Sequence, residues 1–212
     1  MEKPKLIVFD INRTLIKENS WQVLNRSMGL TDAEDEILVK WGQEGVISDA
    51  QGQAIICSLY QIRARPSREN ILNILKAYTF LDGAQEIVSW LTEKGYKLAL
   101  LSGSMDILVE HVAKELGIGL WACNNRFIFD ESETLKAIET VDNDDSYKVR
   151  QLQKMCEEIG IQPTDALCVG DGDNDVLLFD LSGCGVTFEN SPVKNRAKYT
   201  IQSLHDLHKI VA

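Results

Sequence analysis

The feature that most constrains the fold of this chain is a set of short apolar runs, each of which ends at a polar residue or a glycine. The runs occupy residues 6–9 before Asp10, 98–101 before Ser102, and 166–169 before Gly170. Four consecutive apolar residues are typical of a strand that is buried on both faces of a parallel sheet. The sequence therefore predicts a sheet core whose strands are covered by helices on both sides.

Helical segments separate these runs. Residues 84–94 and 147–159 carry apolar side chains at helical spacing, and a glycine, which commonly ends a helix, closes each segment. Further core elements are predicted at 185–188 and 199–201 as strands, at 204–211 as a closing helix, and at 126–140 as a small β-hairpin on the core. Alternating helices and buried strands indicate an α/β fold, a doubly wound, Rossmann-like parallel sheet.

Residues 17–80 interrupt this alternation, because only helical patterns occur there. Helices are predicted at 20–28, 32–43, 49–63 and 68–78, with Thr31, Ser48 and Ser67 as candidate N-caps. We therefore predict two units. An α/β core is formed by residues 1–16 and 81–212, and a helical cap, residues 17–80, is inserted after the first strand.

The net charge limits the partners of the chain. With 22 lysines and arginines against 32 aspartates and glutamates, the formal charge is −10, and a surface of this sign repels nucleic-acid backbones and anionic lipids. We expect no nucleic acid and no membrane as partners, since no apolar run approaches the ~18 residues that cross a bilayer. Five scattered cysteines without paired spacing favour a reducing, cytoplasmic location. A monomer or a homodimer is expected.

Carboxylates follow two of the predicted strands. Asp10 ends the first strand, and the loop 170–175 carries Asp171, Asp173 and Asp175. Such a loop could simply be solvated, but carboxylates crowded at the ends of buried strands repel one another unless a cation compensates them. Ligands bind at the carboxyl ends of the strands in sheets of this kind. The pattern therefore favours a Mg²⁺ site with Asp10 and Asp171 as oxygen ligands.

Four motifs in sequence order carry a resemblance to a known family. They are Asp10-x-Asn12-x-Thr14-Leu15, Ser102-Gly103, Lys148, and the acidic loop Gly170-Asp171-Gly172-Asp173-Asn174-Asp175. In this order, and with a helical insert after the first motif, they resemble the haloacid dehalogenase superfamily, most closely its phosphoserine phosphatase-like branch. The resemblance covers nearly the whole chain. It implies a Mg²⁺-dependent phosphatase that acts on a small phosphorylated metabolite.

The resemblance also implies a role for each motif residue. Asp10 is expected to attack phosphorus and form an aspartyl phosphate. Mg²⁺ would be held by Asp10, the backbone carbonyl of Asn12 and Asp171, and Asp175 would orient the waters of the metal. The donors to the substrate phosphate would be Thr14, Ser102, Gly103, Lys148 and Asn174, of which Lys148 would also neutralise charge on the transferring phosphoryl group. Ser102 and Gly103 are expected at the end of a strand where a helix opens, so that the helix N-terminus would assist them.

Asn12 departs from the family pattern. Phosphatases of the family have a second aspartate here, which protonates the leaving oxygen and then deprotonates the attacking water. An amide cannot carry a proton, and loss of a general acid/base typically costs ~10²- to 10⁴-fold in rate. Three explanations stay open: an engineered Asp-to-Asn substitution that traps an active enzyme, a natural variant that is slow or uses another proton carrier, and a protein that binds a phosphorylated ligand without turnover. A metal-free dehalogenase ranks last, because it has no use for the crowded carboxylates.

The resemblance implies that the cap selects the substrate, through a glutamate and an arginine. This chain has Asn19 in place of the glutamate and, by ungapped comparison, Ser58 in place of the arginine. Charged residues close by that could substitute are Glu18, Arg63 and Arg65. The aromatic residues Trp21, Trp41 and Tyr60 are expected to pack within the cap rather than contact a ligand. The identity of the substrate therefore stays open.

Overall fold

A seven-stranded sheet forms the centre of the molecule. The computed structural model describes residues 3–141 and 144–211, without the side chains of residues 144 and 145. The strands are β1 (Leu6–Phe9), β2 (Lys97–Met105), β3 (Leu120–Phe129), β4 (Leu135–Thr140), β5 (Ala166–Val169), β6 (Gly185–Phe188) and β7 (Tyr199–Ile201). They are ordered β4-β3-β2-β1-β5-β6-β7 across the sheet. β1 therefore lies between β2 and β5.

The strand pairing confirms the predicted doubly wound α/β fold. Every neighbouring pair is parallel except β3 and β4, which run antiparallel. All of β1 is buried, as its continuous apolar run predicts for a strand covered on both faces. Its side chains alternate between two apolar clusters, with Ile7 and Phe9 in one cluster and Leu6 and Val8 in the other. The direction of winding reverses between β1 and β5, which is where such sheets bind ligands.

Helices cover the two faces of the sheet. Those between β1 and β2 are α1 (Ser20–Ser27), α2 (Asp32–Gln43), α3 (Asp49–Arg63), α4 (Arg68–Leu75) and α5 (Ala84–Glu93). The later helices are α6 (Asp106–Leu116), α7 (Asp144–Ile159), α8 (Val176–Ser182) and α9 (Leu207–Val211). Across the described residues, none of the helices combines the length and the apolar character that a membrane crossing needs.

Local capping chemistry sets the beginnings of the helices in segment 17–80. The predicted N-caps Thr31, Ser48 and Ser67 are confirmed, and each accepts a backbone N–H from the first turn of its helix. A fourth cap is Asn19, whose Oδ1 accepts the N–H groups of Trp21 at 3.1 Å and Gln22 at 3.3 Å. These side chains satisfy donors that would otherwise be unpaired at the start of each helix.

Segment 17–80, the predicted cap, packs on the core through a shared apolar cluster that includes Leu24, Tyr60 and Ile71. It is also hydrogen-bonded to the turn between β3 and β4. The N–H of Arg68 donates to the carbonyl of Glu133 at 2.9 Å, and residues 66 and 135 are joined by a backbone bond of 2.8 Å. The segment is thus attached to the sheet at a place that is remote in sequence from its two chain connections.

The end of β2 differs from the prediction. The expectation that this strand ends at Ser102, with a helix opening there, is wrong, because β2 continues to Met105 and α6 begins at Asp106. Pairing with β3 extends the strand: Ser102 lies opposite Cys123 and, after an irregularity, Met105 lies opposite Asn125. Ser102 and Gly103 therefore belong to a distorted strand rather than to a helix N-terminus.

Other boundaries differ as well, including that of the closing helix, since α9 begins at Leu207 rather than at Leu204. The predicted hairpin at 126–140 is part of the main sheet, because β3 begins at Leu120 and pairs with β2 before it turns back as β4. α7 begins at Asp144, so Lys148 lies inside this helix rather than at its start. α4 ends at Leu75, before the predicted limit at Tyr78.

Candidate active site

Asp10 and the loop after β5 lie side by side at the carboxyl end of the sheet. The N–H of Asp10 donates to the carbonyl of Val169 at 2.9 Å, which continues the pairing of β1 with β5. The chain then turns at Gly170, where a Cβ atom would lie 2.2 Å from the carboxyl carbon of Asp175. Glycine is required at this position, because it lets the Asp175 side chain pack against the backbone.

Three carboxylates converge here. Oxygens of Asp10, Asp171 and Asp175 all lie within 4.8 Å of one another. Lys148 is fully buried, and its Nζ donates to Oδ1 of Asp10 at 2.9 Å and to Oδ1 of Asp175 at 2.8 Å. The other oxygen of Asp175 accepts the backbone N–H groups of Asp171 at 3.1 Å and Gly172 at 3.2 Å. Protein donors thus hold both oxygens of Asp175.

The electrostatics of this cluster favour a bound cation. Burial, together with the charges of Asp175 and Asp171, raises the pKa of Asp10 to about 7, against the attraction of Lys148. Burial and the charge of Asp175 raise the pKa of Asp171 to about 6, although Arg13 and Lys148 oppose the shift. A divalent cation would relieve the repulsion, and carboxylate oxygens are the ligands that Mg²⁺ prefers. The residues present therefore fit the predicted metal.

A cavity of about 350 Å³ opens at these strand ends. The predicted site residues that line it are Asp10, Asn12, Ser102, Gly103, Asp171 and Asn174. The other predicted residues are buried: Lys148 and Thr14 are fully enclosed, and Asp175 is 1% exposed. The hydroxyl of Thr14 has no hydrogen-bond partner within the described part of the chain. The sequence motifs thus converge at one place, and the functional roles assigned to them stay predictions.

Asn12 is anchored in the wall of this cavity. Its Oδ1 accepts the N–H of Ser20 at 3.0 Å, which connects the loop after β1 to the first turn of α1. The hydroxyl of Ser20 in turn lies 2.7 Å from that of Ser104 on β2. Arg13 follows with a φ of 57°, a left-handed conformation that is uncommon outside glycine. The loop that carries Asp10 is therefore fixed by contacts with both α1 and β2.

The charged residues suggested as substitutes in the cap do not line this cavity. Arg63 forms two hydrogen bonds of 2.7 Å with the carboxylate of Glu34, and Glu18 accepts the N–H of Thr79. Ser58 donates to the carbonyl of Ala54 and is exposed. Arg65 and Trp41 are also absent from the lining. Tyr60 is buried and donates to Asn25, as expected for a residue that packs in the interior.

Several cavity residues have no motif that would identify them in the sequence. They are Arg13, Trp21, Asp49, Gln53, Asn124, Asn125 and Thr140. Trp21, expected only to pack, lines the cavity and donates from Nε1 to the carbonyl of Gly103 at 3.2 Å. Asp49 and Gln53 lie one turn apart on α3. Only tertiary packing brings these residues together, although the helical spacing of Asp49 and Gln53 shows that they share a face.

Comparison with known proteins agrees with this arrangement. A phosphoserine phosphatase of Methanocaldococcus jannaschii is 29% identical over 211 residues, which cover 99% of this chain and 97% of that protein. One from Streptococcus thermophilus is 28% identical over 208 residues, covering 97% and 94% of the two chains. Both relatives thus align over nearly their whole length.

Solved structures give the same result. A substrate-bound phosphoserine phosphatase complex superposes with a TM-score of 0.81 at 27% identity, covering 100% of each chain. A phospho-aspartyl intermediate analogue of phosphoserine phosphatase superposes with a TM-score of 0.78, also at 27% identity and with both chains covered completely. The family model for haloacid dehalogenase-like hydrolases matches residues 4–179, and the chain therefore belongs to that family.

Proposed function

We propose that the chain is a Mg²⁺-dependent phosphatase of a small phosphorylated metabolite and acts through an aspartyl phosphate on Asp10. The observation that carries this proposal is the position of Asp10, which ends a buried strand, lines the cavity and lies 2.9 Å from the buried Nζ of Lys148. The relatives named as phosphoserine phosphatases, and the solved phospho-aspartyl analogue, support the same chemistry.

Asp10 acts as the nucleophile. A carboxylate oxygen attacks phosphorus, the bond from phosphorus to the ester oxygen breaks, and the leaving oxygen takes a proton from solvent water, because Asn12 cannot supply one. Water then attacks the aspartyl phosphate in a second step, which releases phosphate and regenerates the carboxylate of Asp10. Lys148 fixes the orientation of Asp10 through Oδ1 and supplies a positive charge where the phosphoryl group arrives. Because this lysine is fully buried, its charge is little screened by water.

The phosphoryl oxygens would be bound by Ser102, Gly103 and Asn174, with Lys148 and Thr14 contributing from the buried side. The Ser102 oxygen accepts the N–H of Ser104 at 3.3 Å, which leaves its own O–H to donate to phosphate. Mg²⁺ would be held by Asp10, the carbonyl of Asn12 and Asp171, and would neutralise charge between the nucleophile and the phosphate. Asp175, whose oxygens accept three protein donors, would orient the waters of the metal.

A second candidate function is binding of a phosphorylated ligand without turnover. Asn12 favours it, because the amide cannot protonate a leaving group and its Oδ1 already accepts the Ser20 N–H. This function retains the same phosphate and metal site and differs in that the phosphate ester is bound without being hydrolysed.

The experiment that separates the two functions restores the missing acid. With an aryl or acyl phosphate, which needs little protonation of its leaving group, the unmodified chain should show a burst followed by slow turnover. Asn12→Asp should raise steady-state turnover by ~10²-fold or more, the usual contribution of a positioned acid/base. Asp10→Asn should abolish both phases and the labelling of the protein by ³²P. If Asn12→Asp hydrolyses no ester above the background rate but still binds phosphate and Mg²⁺, the result would support ligand binding without turnover instead.

A further inference from the structure

The charges that line the cavity are distributed unevenly. Among the described residues, Arg13 is the one lysine or arginine in the lining, and its charge acts on Asp171 at the strand ends. Residues 142–145 contain no lysine or arginine in the sequence. Of the lining carboxylates, Asp10 and Asp171 also belong to the strand ends, whereas Asp49 lies on α3. In the part of the chain that the structure describes, the helical wall of the cavity therefore carries one carboxylate, Asp49, and no lysine or arginine.

The acceptors on this wall lie on one face of α3. Asp49 is the first residue of the helix and Gln53 follows it by one turn, so the two side chains are neighbours. The Oε1 atom of Gln53 is buried and has no hydrogen-bond partner within the part of the chain that the structure describes. A buried carbonyl without a donor is costly, and a ligand with N–H groups would satisfy it.

Trp21 contributes an aromatic side chain to the same cavity. Its indole is fixed by the bond from Nε1 to the carbonyl of Gly103 and by Phe127, whose ring centroid lies 6.0 Å away. Because Gly103 belongs to the proposed phosphate site, Trp21 connects that end of the cavity with the helical wall. The faces of indole rings attract cations.

Within the described residues, the helical wall has no lysine or arginine to pair with a carboxylate, and several of its backbone N–H groups are already engaged. The N–H groups at the start of α1 donate to Asn12 and Asn19, and that of Gln51 in α3 donates to Ser48. Among the other lining residues, Nδ2 of Asn125 donates to the carbonyl of Gly103, and the Thr140 hydroxyl donates to Oδ1 of Asn125. A carboxylate on the leaving group would therefore face the negative charge of Asp49, with only the neutral amides of Asn19 and Gln53 as the remaining side-chain donors among the described residues of this wall.

We propose that the leaving alcohol of the substrate carries a primary ammonium group and no carboxylate, and that Trp21, Asp49 and Gln53 hold this ammonium. The proposal rests on the proposed function, because it places the phosphoryl group at the strand ends. It defines the substrate class as a short aminoalkyl phosphate and disfavours a phosphorylated amino acid.

Three esters of similar size test the charge preference with Mg²⁺ present. 2-Aminoethyl phosphate, 2-hydroxyethyl phosphate and carboxymethyl phosphate carry a cation, a neutral group and an anion at matching positions. The kcat/KM of the aminoethyl ester should exceed that of the hydroxyethyl ester by ~tenfold, with the carboxymethyl ester lowest. O-phosphoserine should also fall below the aminoethyl ester. Equal values, or a preference for a carboxylate, would overturn the proposal.

Two variants locate the ammonium. Asp49→Asn should lower the ratio of kcat/KM between the aminoethyl and hydroxyethyl esters to ~threefold or less. Asp32→Asn, which removes a carboxylate from the same helical position of α2, should leave the ratio unchanged. Gln53→Leu should reduce the preference for the primary ammonium ester over its trimethylammonium analogue, because the analogue has no N–H to donate. An unaltered ratio in Asp49→Asn would contradict the assignment.

Failure of this inference and failure of the proposed function give different results. Hydrolysis of 4-nitrophenyl phosphate without any charge preference among the three esters would sustain the phosphatase and overturn the ammonium site. If no ester is hydrolysed, the proposed function fails. The dissociation constants of the same three esters, measured by calorimetry with Mg²⁺, then decide the charge preference, and tightest binding of the aminoethyl ester would uphold it.

Discussion

Asn12 combines a structural contact with a chemical limitation. Its Oδ1 accepts the N–H of Ser20 and so holds the loop after β1 against α1. A carboxylate at this position could accept the same bond, since Asp and Asn side chains have the same shape. Asn12→Asp therefore changes the capacity for proton transfer and keeps the contact, which makes it a cleaner test than a substitution that removes the oxygen.

Lys148 is the cation on which the buried part of the site depends. Its Nζ lies within 3 Å of both Asp10 and Asp175, and the side chain has no exposure to water. Removal of one partner from a buried ionic group typically costs ~3–5 kcal/mol, because the charges left behind are neither solvated nor paired. The same lysine is thus expected to contribute to folding as well as to the chemistry.

Lys148→Met should lower the free energy of unfolding by ~3 kcal/mol or more at neutral pH without metal. Urea denaturation measures the change. Mg²⁺ should restore part of the loss, because a divalent cation replaces the missing charge beside Asp10. Lys154→Met on the same helix is the control, since its Nζ lies 4.0 Å from Glu158 at the surface, and it should cost less than ~1 kcal/mol. Equal stability of the two variants would contradict this account.

At the scale of elements, local chemistry made some boundaries predictable and tertiary pairing set the others. Thr31 and Ser48 mark helix starts because a side-chain oxygen beside an apolar helical pattern is sufficient to cap the first turn. The extension of β2 beyond Ser102 was not predictable, because the sequence Ser-Gly-Ser lacks an apolar pattern and becomes a strand only through its pairing with β3.

The distinction between local signals and tertiary packing also applies to the residues of the site. Asp10 and Asp171 could be identified because each follows a buried strand, and parallel strands end at a common edge. Asp49 and Gln53 could not be identified, because only the tertiary packing of α3 brings them into the cavity. Sequence reasoning therefore identified the proposed phosphate end of the cavity and left the leaving-group end undefined.

One ion pair connects two helices of segment 17–80 and makes their packing sensitive to acid. Hydrogen bonds from Arg63, and then from Thr31, lower the pKa of Glu34 to about 2 from an ordinary value of 4.5. A carboxyl group whose pKa is lowered by folding stabilises the folded state above its unfolded pKa. This stabilisation is lost as the pH falls through the folded pKa. Glu34 therefore contributes at neutral pH and ceases to contribute between about pH 4.5 and pH 2.

Glu34→Gln should accordingly flatten the acid limb of the stability curve. Urea unfolding midpoints measured from pH 5 to pH 2 should fall less steeply in the variant than in the unmodified chain, because the titrating group is absent. The glutamine keeps an oxygen to accept the Thr31 N–H, so the helix cap is preserved. Glu36→Gln on the same helix serves as the control. Parallel acid limbs in all three proteins would exclude a role for Glu34.

At the scale of the whole molecule, segment 17–80 is attached to the rest of the chain in two places. The chain enters and leaves it at Ile16 and Phe80, which form an isolated bridge with each other. A second bridge joins Ser67 to Thr134 in the turn between β3 and β4. In the sequence, α2 lies between these two attachment points. It has no buried residue, and short loops join it to α1 and α3. If the whole segment moved as one body about its two chain connections, the bridge between Ser67 and Thr134 would break.

Closure over a bound phosphate should therefore be local. Hydrogen exchange with Mg²⁺ and a fluoride mimic of phosphate should show increased protection in α2 and in the first turns of α1 and α3, because closure excludes water from the cavity that these turns line. The N–H groups of Arg68 and Leu135, which donate to Glu133 and Pro66, should be protected equally with and without the mimic. Loss of their protection would indicate that the segment moves as one body. Unchanged exchange in α1, α2 and α3, with occupancy demonstrated by ¹⁹F NMR, would indicate a rigid, open site.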